Sequence, residues 1–449
     1  MYNQLLTKIK EKSAQVAVIG LGYVGLPLAT GLAKCGYRVT GLDTSTAKVD
    51  SIKAGGSYIP DVPAADVADL VNTATLSATT DYDTLRERDI IFICVPTPFD
   101  SMKAPDLTFV RQAAAGIAPR LRAGQLVVLQ STTYPGTTEE VVQPILEESG
   151  LIAGQDFFLA FSPERIDPGR ADYTVENTPK VVGGINSESA SLAGELLARL
   201  TPQIHYVSTP RAAEMTKLLE NIFRSVNIAL VNELAVLSER MGIDFWEVIE
   251  AAKTKPFGFM PFYPSPGVGG HCIPVDPYYL SWKAREYDFY TRFIELAAEV
   301  NGDMPYHTVE LVGRVLNGGG KSLRGANVLI LGVAFKPNID DARNSPAERV
   351  IELLIREGAN VSYHDPYVPQ FKIGGDIVLK DKLSLANVPL TAASLNQADC
   401  TVIVTGHRDI DYKWVVNESK LVVDTVNATR HVIENRAKIA RLGAPLKME

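Results

Sequence analysis

The sequence predicts an α/β protein with two doubly wound domains joined by a helical central section that contains a long helix. Short apolar runs alternate with helical stretches from about residue 14 to 200, and the same alternation returns after residue 319. Between them, the pattern over about 209–318 is helical. We therefore expect domains at 1–208, 209–318 and 319–449, which suits a chain of 449 residues.

The first section predicts a parallel sheet, because continuous β-branched and apolar runs are typical of strands buried on both faces. The runs lie at 15–20, 37–43, 89–96, 125–132, 157–164 and 180–184. Helical patterns at 26–36 and 106–121 separate some of these runs, as expected for βαβ units.

The central section predicts a helix that begins at Pro210, a residue that suits the first helical position, and ends at Gly242. A second helix is expected over about 290–317, and a loop rich in proline and glycine over about 254–277. The last section predicts strands at 327–335, 359–366, 400–406 and 421–427, with a helix over 344–358.

Composition and charge exclude several classes of protein. The formal net charge is −8 and the pI is about 5.5, which argues against a nucleic-acid-binding protein. The longest apolar runs have the length of strands, and the N-terminal stretch lacks the apolar region of a secretory signal. We expect a cytoplasmic protein with no nucleic-acid partner and no membrane partner.

A glycine motif is the first sign of a cofactor. Gly20, Gly22 and Gly25 have G-x-G-x-x-G spacing between a predicted strand and a predicted helix, and Asp43 ends the next strand. In this context the glycines permit a tight turn, close approach of a pyrophosphate and close helix packing. A carboxylate at the end of the second strand binds the ribose hydroxyls of NAD and repels the extra phosphate of NADP. We therefore predict a Rossmann-like NAD site.

Polar residues also follow two later strands and line the long helix. Thr97 and Thr132 are expected at the carboxyl edge of the sheet, where ligands bind in open α/β folds. A further polar set shares one face of a largely apolar helix, which we expect to be mostly buried. Its members are Glu214, Lys217, Asn221 and Arg224.

Cys272 lies in the loop "GVGGHCIPVDP", unlike Cys35, Cys94 and Cys400, which fall in helix or strand patterns. With His271 and Asp276 nearby, a zinc site is conceivable, but a second pair of ligands at zinc spacing is missing and we expect no metal. Taken alone, a cysteine is more often structural than nucleophilic. Beside an NAD site, the thiolate is a candidate nucleophile for aldehyde oxidation, through a thiohemiacetal and then a thioester.

Together these stretches resemble the UDP-glucose/GDP-mannose dehydrogenase family over nearly the whole chain. Seven motifs occur in the order found in that family, which makes the resemblance more specific than any one of them. They are "GLGYVGLP", "CVPTP", "STTYPGT", "SPERIDPG", "EMTKLLENIFRSVNIALVNEL", "GVGGHCIPVDP" and "GVAFKPNIDDARNSP". Within the family, "FSPERIDPGR" and "GGHCIPVDPYYL" are most similar to UDP-N-acetylglucosamine 6-dehydrogenases.

The resemblance implies catalytic roles for residues at matching positions. Cys272 is the implied nucleophile, Lys217 stabilises the developing oxyanion, and Asn221 hydrogen-bonds the reacting oxygen. Asp276 is implied to assist proton transfer. Two more residues are implied near the hydrolytic water and the substrate, Thr132 and Glu164, with Glu164 a candidate general base.

The resemblance also implies binding roles. Residues expected near NAD or the phosphates are Gly20, Gly22, Val24, Gly25, Asp43, Lys48, Thr97, Thr132 and Arg343. Residues expected near the substrate are Glu164, Arg165, Lys217, Asn221, Phe259, Tyr263 and Gly269. The C-terminal domain is implied to bind the UDP moiety, and the long helix to form a homodimer or a higher homo-oligomer.

One stretch departs from the family pattern. Many members carry an arginine before the cysteine loop, supplied across the dimer to the sugar, whereas this chain has "KTKPFGFMPFYPSP". We hypothesise that Phe259 and Tyr263 wall an acetamido pocket instead.

The resemblance thus implies NAD-dependent four-electron oxidation of a UDP-sugar C6 alcohol to the acid, with UDP-N-acetylglucosamine as the expected substrate. The alternatives are UDP-N-acetylmannosamine or UDP-glucose, a two-electron hydroxyacid-type dehydrogenase, and a non-catalytic nucleotide-sugar sensor.

Overall fold

A computed structural model describes residues 1–100, 104–165, 174–270 and 273–446. The chain separates into two compact units, Met1–Glu220 with Tyr278–Phe289, and Asn221–Pro277 with Tyr290–Glu449. Each unit contains an α/β sheet with buried strands, so the predicted fold class is confirmed. The finer division into three domains stays a prediction.

The first unit is built on an eight-stranded sheet. Its strands are β1 (Gln15–Ile19), β2 (Arg38–Leu42), β3 (Leu76–Thr79), β4 (Ile90–Ile93), β5 (Leu126–Leu129), β6 (Phe158–Phe161), β7 (Lys180–Gly184) and β8 (Ile204–Val207). Its helices are α1 (Tyr2–Lys10), α2 (Gly25–Lys34), α3 (Thr46–Lys53), α4 (Ala64–Asn72), α5 (Thr108–Ile117), α6 (Gln143–Glu147) and α7 (Ser187–Leu197), followed by the start of α8 (Pro210–Met241). Shorter helical turns lie at Tyr82–Glu87, Ala118–Arg120 and Thr138–Val142.

The strand order is β3-β2-β1-β4-β5-β6-β7-β8. The strands are parallel except at one pair, because β6 and β7 run antiparallel. The prediction of a wholly parallel sheet was wrong there, since buried apolar strands look alike in either direction. The sequence reasoning also missed β8, whose residues are all at least partly exposed, as is usual at a sheet edge.

The second unit continues with the rest of α8 and with α9 (Phe245–Lys253). Helix α10 (Asp276–Ala284) begins in the second unit and passes into the first. The remaining helices are α11 (Arg292–Gly318), α12 (Pro346–Arg356), α13 (Ala392–Gln397) and α14 (Tyr412–Glu418), with short turns at Arg285–Tyr287 and Arg436–Lys438. The strands are β9 (Asn327–Leu331), β10 (Asn360–His364), β11 (Gln370–Ile373), β12 (Leu383–Ala386), β13 (Cys400–Ile403), β14 (Val422–Asp424) and β15 (Ile439–Arg441).

The second sheet repeats the core of the first. Its parallel order is β10-β9-β13-β14-β15, which matches β2-β1-β4-β5 of the first sheet in its first four strands, while β11 and β12 form a separate antiparallel pair. In each sheet an aspartate after the second strand accepts a hydrogen bond from the turn after the first strand. The pairs are Leu21 N–H to Asp43, 2.9 Å, and Val333 N–H to Asp365, 2.7 Å.

Helix α8 has the predicted bounds, but it is not buried over most of its surface. A row of apolar residues is exposed along one side: Phe223, Leu230, Leu234, Leu237 and Met241. Helical periodicity shows which residues share a face, but it cannot show whether anything in the same chain covers that face.

No metal-binding cluster of three or more His, Cys, Asp or Glu side chains occurs in the described ranges. Among the same residues, none of the helices combines the length and the apolar character that a bilayer crossing requires.

A buried carboxylate ties helices α8 and α11 to the chain after β15. Glu239 Oε2 lies 3.1 Å from His307 Nε2 and 3.2 Å from Arg314 Nη2, and Gly443 N–H donates to Oε1 at 2.8 Å. Burial by itself would raise the pKa of Glu239, but the hydrogen bonds and the charge of His307 outweigh it and lower the pKa below its usual 4.5. The ionised form therefore stabilises the second unit.

Replacing Glu239 with glutamine should lower the free energy of unfolding near pH 7 by about 1–3 kcal/mol, because buried donors lose a charged acceptor. The pKa of Glu239 is lowered on folding, so its contribution is complete above pH 4.5 and disappears as pH falls through the folded-state value. The difference in melting temperature between wild type and Glu239→Gln should therefore become smaller below pH 4.5. Glu310→Gln, at an exposed partner of Arg314, is the matched control. A difference in melting temperature that stays the same at all pH values would contradict the stabilising role of ionised Glu239.

Candidate active site

The glycine turn between β1 and α2 is closely packed on one side and open on the other. Gly20 has φ +90°, and a Cβ on Gly25 would stand 1.8 Å from the Gly20 carbonyl oxygen. A Cβ on Gly22, in contrast, would meet no atom within 4 Å. Val24 immediately precedes the first residue of α2. The turn thus leaves room at Gly22, beside a helix N-terminus, for an anionic group.

The carboxylate of Asp43 is fixed beside this turn. It is buried, accepts from the backbone N–H of Leu21 and Ser45 at 2.9 Å each, and pairs with Lys48 Nζ at 3.1 Å. A carboxylate has about four acceptor positions, so these bonds orient it without preventing it from accepting ribose hydroxyls. The residues present fit a dinucleotide: open space at Gly22 for the pyrophosphate, and Asp43 for the ribose.

The two threonines predicted at the sheet edge lie next to one another. Thr97 follows β4 and Thr132 follows β5, and the Thr97 hydroxyl donates to the Thr132 carbonyl at 2.7 Å. The carbonyl of Thr97 in turn accepts from the Tyr279 hydroxyl of α10. Thr97 and Thr132 therefore lie together at the carboxyl edge of the sheet, which is the position that the sequence predicted for them.

Glu164, after β6, is held by several donors. Its carboxylate oxygens each lie 2.9 Å from Lys180 Nζ, and they also accept from Gln130 Nε2 at 2.9 Å and from the Arg165 N–H at 2.7 Å. Lys180 is completely buried and was not singled out from the sequence, where it reads as the first residue of a strand. The Arg165 side chain pairs with Glu220 at 2.7 Å. These donors hold the Glu164 carboxylate in one orientation. Its role in proton transfer stays a prediction.

The polar set on α8 divides into two kinds of residue. Glu214 is fully buried and accepts from Gly136 N–H at 2.6 Å and from the Thr138 N–H and hydroxyl at 2.9 and 2.6 Å. Burial is the main cause that raises the pKa of Glu214. Glu214 therefore holds residues 136–138, a few positions after Thr132, against the start of α8. Lys217 and Asn221 are also buried, and their catalytic roles stay predictions.

Asn221 contacts the end of the cysteine loop. Its Nδ2 donates to Asp276 Oδ2 at 2.5 Å, and both side chains are almost completely buried. Asp276 is the first residue of α10. The hydrogen bond therefore connects the polar face of α8 to a residue four positions after Cys272. Cys272 itself and His271 lie outside the described residues.

The glycines before Cys272 pack against the turn that contains Arg343. Gly270 N–H donates to the Arg343 carbonyl at 3.2 Å, and Asn344 Nδ2 donates to the Gly270 carbonyl at 3.1 Å. A Cβ on Gly269 would come within 2.9 Å of the Asn344 carbonyl oxygen. The Arg343 side chain pairs with Asp341 at 2.6 Å. Gly269 is therefore needed for this close approach, and any role of Arg343 toward phosphates stays a prediction.

The two aromatic residues proposed for the sugar pocket are both partly exposed. Tyr263 stacks on Trp246 with ring centres 6.0 Å apart, and its hydroxyl donates to Glu250 at 2.9 Å. The roles of Phe259 and Tyr263 toward a sugar stay predictions.

A cavity of about 480 Å³ lies in the second unit at the carboxyl ends of β9, β13 and β14. Cations and rings line it, among them Lys336, His407, Arg408, Tyr412 and Arg430. The sequence reasoning named none of these residues individually. Their position in the sequence could have indicated a ligand site, because Lys336 and the His407–Arg408 pair each follow a buried strand, where ligands bind in open α/β sheets.

The chain belongs to a known class of enzyme, the NAD-dependent dehydrogenases of nucleotide sugars. Three models of the UDP-glucose/GDP-mannose dehydrogenase family match it: the NAD binding domain over residues 14–201, the central domain over 211–303 and the UDP binding domain over 329–431. The chain is therefore a member of the UDP-glucose/GDP-mannose dehydrogenase family, as the motifs predicted, and NAD is its cofactor.

Similar proteins carry the names of several different UDP-sugar substrates. A UDP-N-acetyl-D-glucosamine 6-dehydrogenase of Pseudomonas aeruginosa is 39% identical over 80% of this chain and 84% of its own length. A UDP-N-acetyl-D-mannosamine dehydrogenase of Methanocaldococcus jannaschii is 36% identical over 94% and 95%. The structure of a UDP-D-ManNAc dehydrogenase from Pyrococcus horikoshii has a TM-score of 0.86 at 31% identity, covering 96% of this chain and 100% of that one.

Two alanine substitutions should separate cofactor binding from packing. Gly22→Ala adds a methyl group where no protein atom lies within 4 Å, so it should leave the melting temperature unchanged and raise the KM for NAD about tenfold or more. Gly25→Ala forces a methyl group against the Gly20 carbonyl and should destabilise the protein by about 1–3 kcal/mol. Thermal unfolding and NAD titration measure both effects; a Gly22→Ala variant with normal NAD affinity would refute the placement of the pyrophosphate.

Proposed function

We propose that this enzyme oxidises the C6 alcohol of UDP-N-acetylglucosamine to the acid, using two NAD per sugar. The observation that carries the proposal is the buried hydrogen bond between Asn221 and Asp276, because it brings an amide and a carboxylate together at the end of the loop that contains Cys272. A thiol gives the second oxidation a covalent route, because a thiohemiacetal holds the aldehyde carbon while its hydrogen leaves as hydride.

The chemistry of the proposal follows from the residue types. The C6 alcohol first gives up its hydroxyl proton and a hydride from C6, which leaves an aldehyde. The Cys272 thiolate then adds to the aldehyde carbon: a carbon–sulfur bond forms, the carbonyl π bond opens, and a thiohemiacetal alkoxide results. Loss of the remaining C6 hydrogen as hydride leaves a thioester, and water then releases the acid and regenerates the thiol. NAD supplies the acceptor for both hydrides.

Other side chains would assist these steps. Lys217, as an ammonium, opposes negative charge on the reacting oxygen, and such a preorganised donor contributes about 3–4 kcal/mol. Asn221 donates to the same oxygen, and Asp276 takes part in proton transfer. Glu164, whose carboxylate is held by Lys180, is the candidate general base for hydrolysis of the thioester.

We assign the UDP moiety to the cavity of the second unit. Lys336, Arg408 and Arg430 supply positive charge for a diphosphate, and Tyr412 is among the rings available to an aromatic base. The family model over residues 329–431 describes a UDP binding domain, which supports this assignment.

The sugar is the finer part of the proposal. The "FSPERIDPGR" and "GGHCIPVDPYYL" motifs favour UDP-N-acetylglucosamine, and a relative named for the oxidation of that sugar is 39% identical. UDP-N-acetylmannosamine is the competing substrate, because other relatives bear that name. The family resemblance further predicts a role in polysaccharide synthesis. A cytoplasmic location and the lack of a nucleic-acid partner stay predictions.

The test is NADH formation with UDP-N-acetylglucosamine, UDP-N-acetylmannosamine and UDP-glucose side by side. We expect the highest kcat/KM with the first and two NADH per sugar consumed, because alcohol and aldehyde are both oxidised. Cys272→Ser should block formation of the acid by about a thousandfold or more, with aldehyde or a serine ester as the trapped product. Cys35→Ser, at a cysteine outside the site, is the matched control.

The outcomes separate the alternatives. One NADH per sugar with no acid would support a two-electron dehydrogenase, and no turnover with any sugar would support a binding protein. Normal acid production by Cys272→Ser would eliminate the covalent mechanism.

We also propose that the enzyme is a homodimer that buries the exposed apolar side of α8. Phe223, Leu230, Leu234, Leu237 and Met241 lie three, four or seven residues apart, so they form one continuous stripe. An apolar stripe of this length is unfavourable in water and is typical of an interface.

Replacing Leu230 and Leu237 together with glutamate should convert the dimer to a monomer, because burying two unpaired charges is unfavourable. Light scattering after size exclusion would measure the mass. Ile433→Glu, at an exposed apolar residue outside α8, should leave the mass unchanged. A double variant that remains dimeric would exclude this face.

A further inference from the structure

His407 is a fully buried residue of the nucleotide cavity whose two ring nitrogens have different partners. Nδ1 accepts a hydrogen bond from the Asn338 N–H at 3.1 Å, and Nε2 lies 3.0 Å from Asp365 Oδ2. Because a backbone N–H can only donate, Nδ1 must be unprotonated. The ring proton is therefore on Nε2 and is donated to Asp365.

Asp365 fixes the position of the imidazole. The same Oδ2 atom accepts from the N–H groups of Val333 and Ala334 at 2.7 and 2.9 Å, and the carboxylate is fully buried. Burial opposes ionisation, but hydrogen bonds from His407 and the backbone outweigh it and lower the pKa of Asp365 to about 2. Near neutral pH the carboxylate is thus an ionised anchor at the end of β10.

The other side of the ring holds the segment that carries Lys336. Asn338 has φ +63°, a left-handed conformation, and its Oδ1 accepts from the Arg408 N–H at 2.9 Å. Lys336 is two residues before Asn338, and Arg408 directly follows His407. Two hydrogen bonds therefore join the two cation-bearing segments of the cavity, and one of them ends on the histidine ring.

We propose that His407 is a positioning residue for nucleotide binding: anchored by Asp365, it holds the Lys336–Asn338 turn where the lysine meets the diphosphate. This inference rests on the assignment of UDP to the cavity. A flexible lysine loses rotamer freedom when it binds a phosphate, so a turn that is already held in place improves affinity without touching the ligand.

Two substitutions of His407 separate this role from a purely structural one. Glutamine places its amide near the Nε2 position, so it can still donate to Asp365 but leaves Asn338 N–H without its acceptor. Asparagine places its amide near the Nδ1 position, so it keeps that acceptor but removes the donor to the buried Asp365. Positioning predicts that His407→Gln folds normally and loses nucleotide affinity, while His407→Asn is less stable and keeps more affinity.

The measurements are the Kd of UDP by calorimetry and the KM and kcat for the preferred UDP-sugar. We expect His407→Gln to raise both Kd and KM about tenfold, with a much smaller change in kcat. His364→Gln is the matched control, because that imidazole Nδ1 bonds the Val388 carbonyl at 2.8 Å and does not line the cavity. A folded His407→Gln with the affinity of wild type would overturn the proposal.

A second comparison tests whether His407 acts through Lys336. Lys336→Met removes the cation, so adding His407→Gln to it should weaken UDP binding by less than about twofold further. Full additivity of the two losses would overturn the proposed route. If His407→Gln does not fold, the affinity of His407→Asn for UDP decides, because asparagine keeps an acceptor for the Asn338 N–H. We expect a Kd within about threefold of wild type, and a rise of about tenfold or more would overturn the proposal.

Failure of this inference is distinguishable from failure of the proposed function. Wild-type protein that binds no UDP would refute the assignment of the cavity. Wild-type protein that binds UDP, with His407→Gln binding equally well, would refute only the positioning role.

Discussion

A carboxylate that accepts a hydrogen bond from the turn after the first strand is the constraint common to both sheets. Asp43 accepts a hydrogen bond from the Leu21 N–H, and Asp365 accepts one from the Val333 N–H. A buried carboxylate is tolerated only when donors satisfy it, so each turn is locked in one conformation. Ligand groups can then bind to a turn that does not have to rearrange.

This hydrogen-bonded aspartate has different surroundings in the two units. In the first unit Asp43 has the partly exposed Lys48 beside it and an open space at Gly22, so a cofactor can bind against the turn. In the second unit Asp365 is paired with His407, and both residues are fully buried. The carboxylate thus lies beside an open turn in one unit and anchors a cavity wall in the other. Repetition of a fold therefore does not imply repetition of its site.

Buried carboxyl groups also organise the edge of the first sheet. Lys180 and Glu164 neutralise one another, and Glu214 ties the start of α8 to the chain after the Thr132 segment. Ionised groups in such places are unfavourable unless paired and hydrogen-bonded. These hydrogen bonds fix the direction in which the two carboxylates point.

Local sequence was a good guide wherever short-range physics decides. The bounds of α8 followed from Pro210 and Gly242, and the glycine turn followed from three spaced glycines, because helix capping and steric contact act over a few residues. Edge strand β8 and the antiparallel pairing of β6 with β7 were missed, since exposure and strand direction depend on distant neighbours.

The sequence by itself determined the fold class, the NAD turn, the family and the identity of most candidate side chains. Only the tertiary structure decided which of those side chains meet: Lys180 with Glu164, Asn221 with Asp276, and His407 with Asp365. These partners are separated by 16, 55 and 42 positions in the chain. Contacts over such separations depend on how strands and helices pack, which no local pattern of residues records.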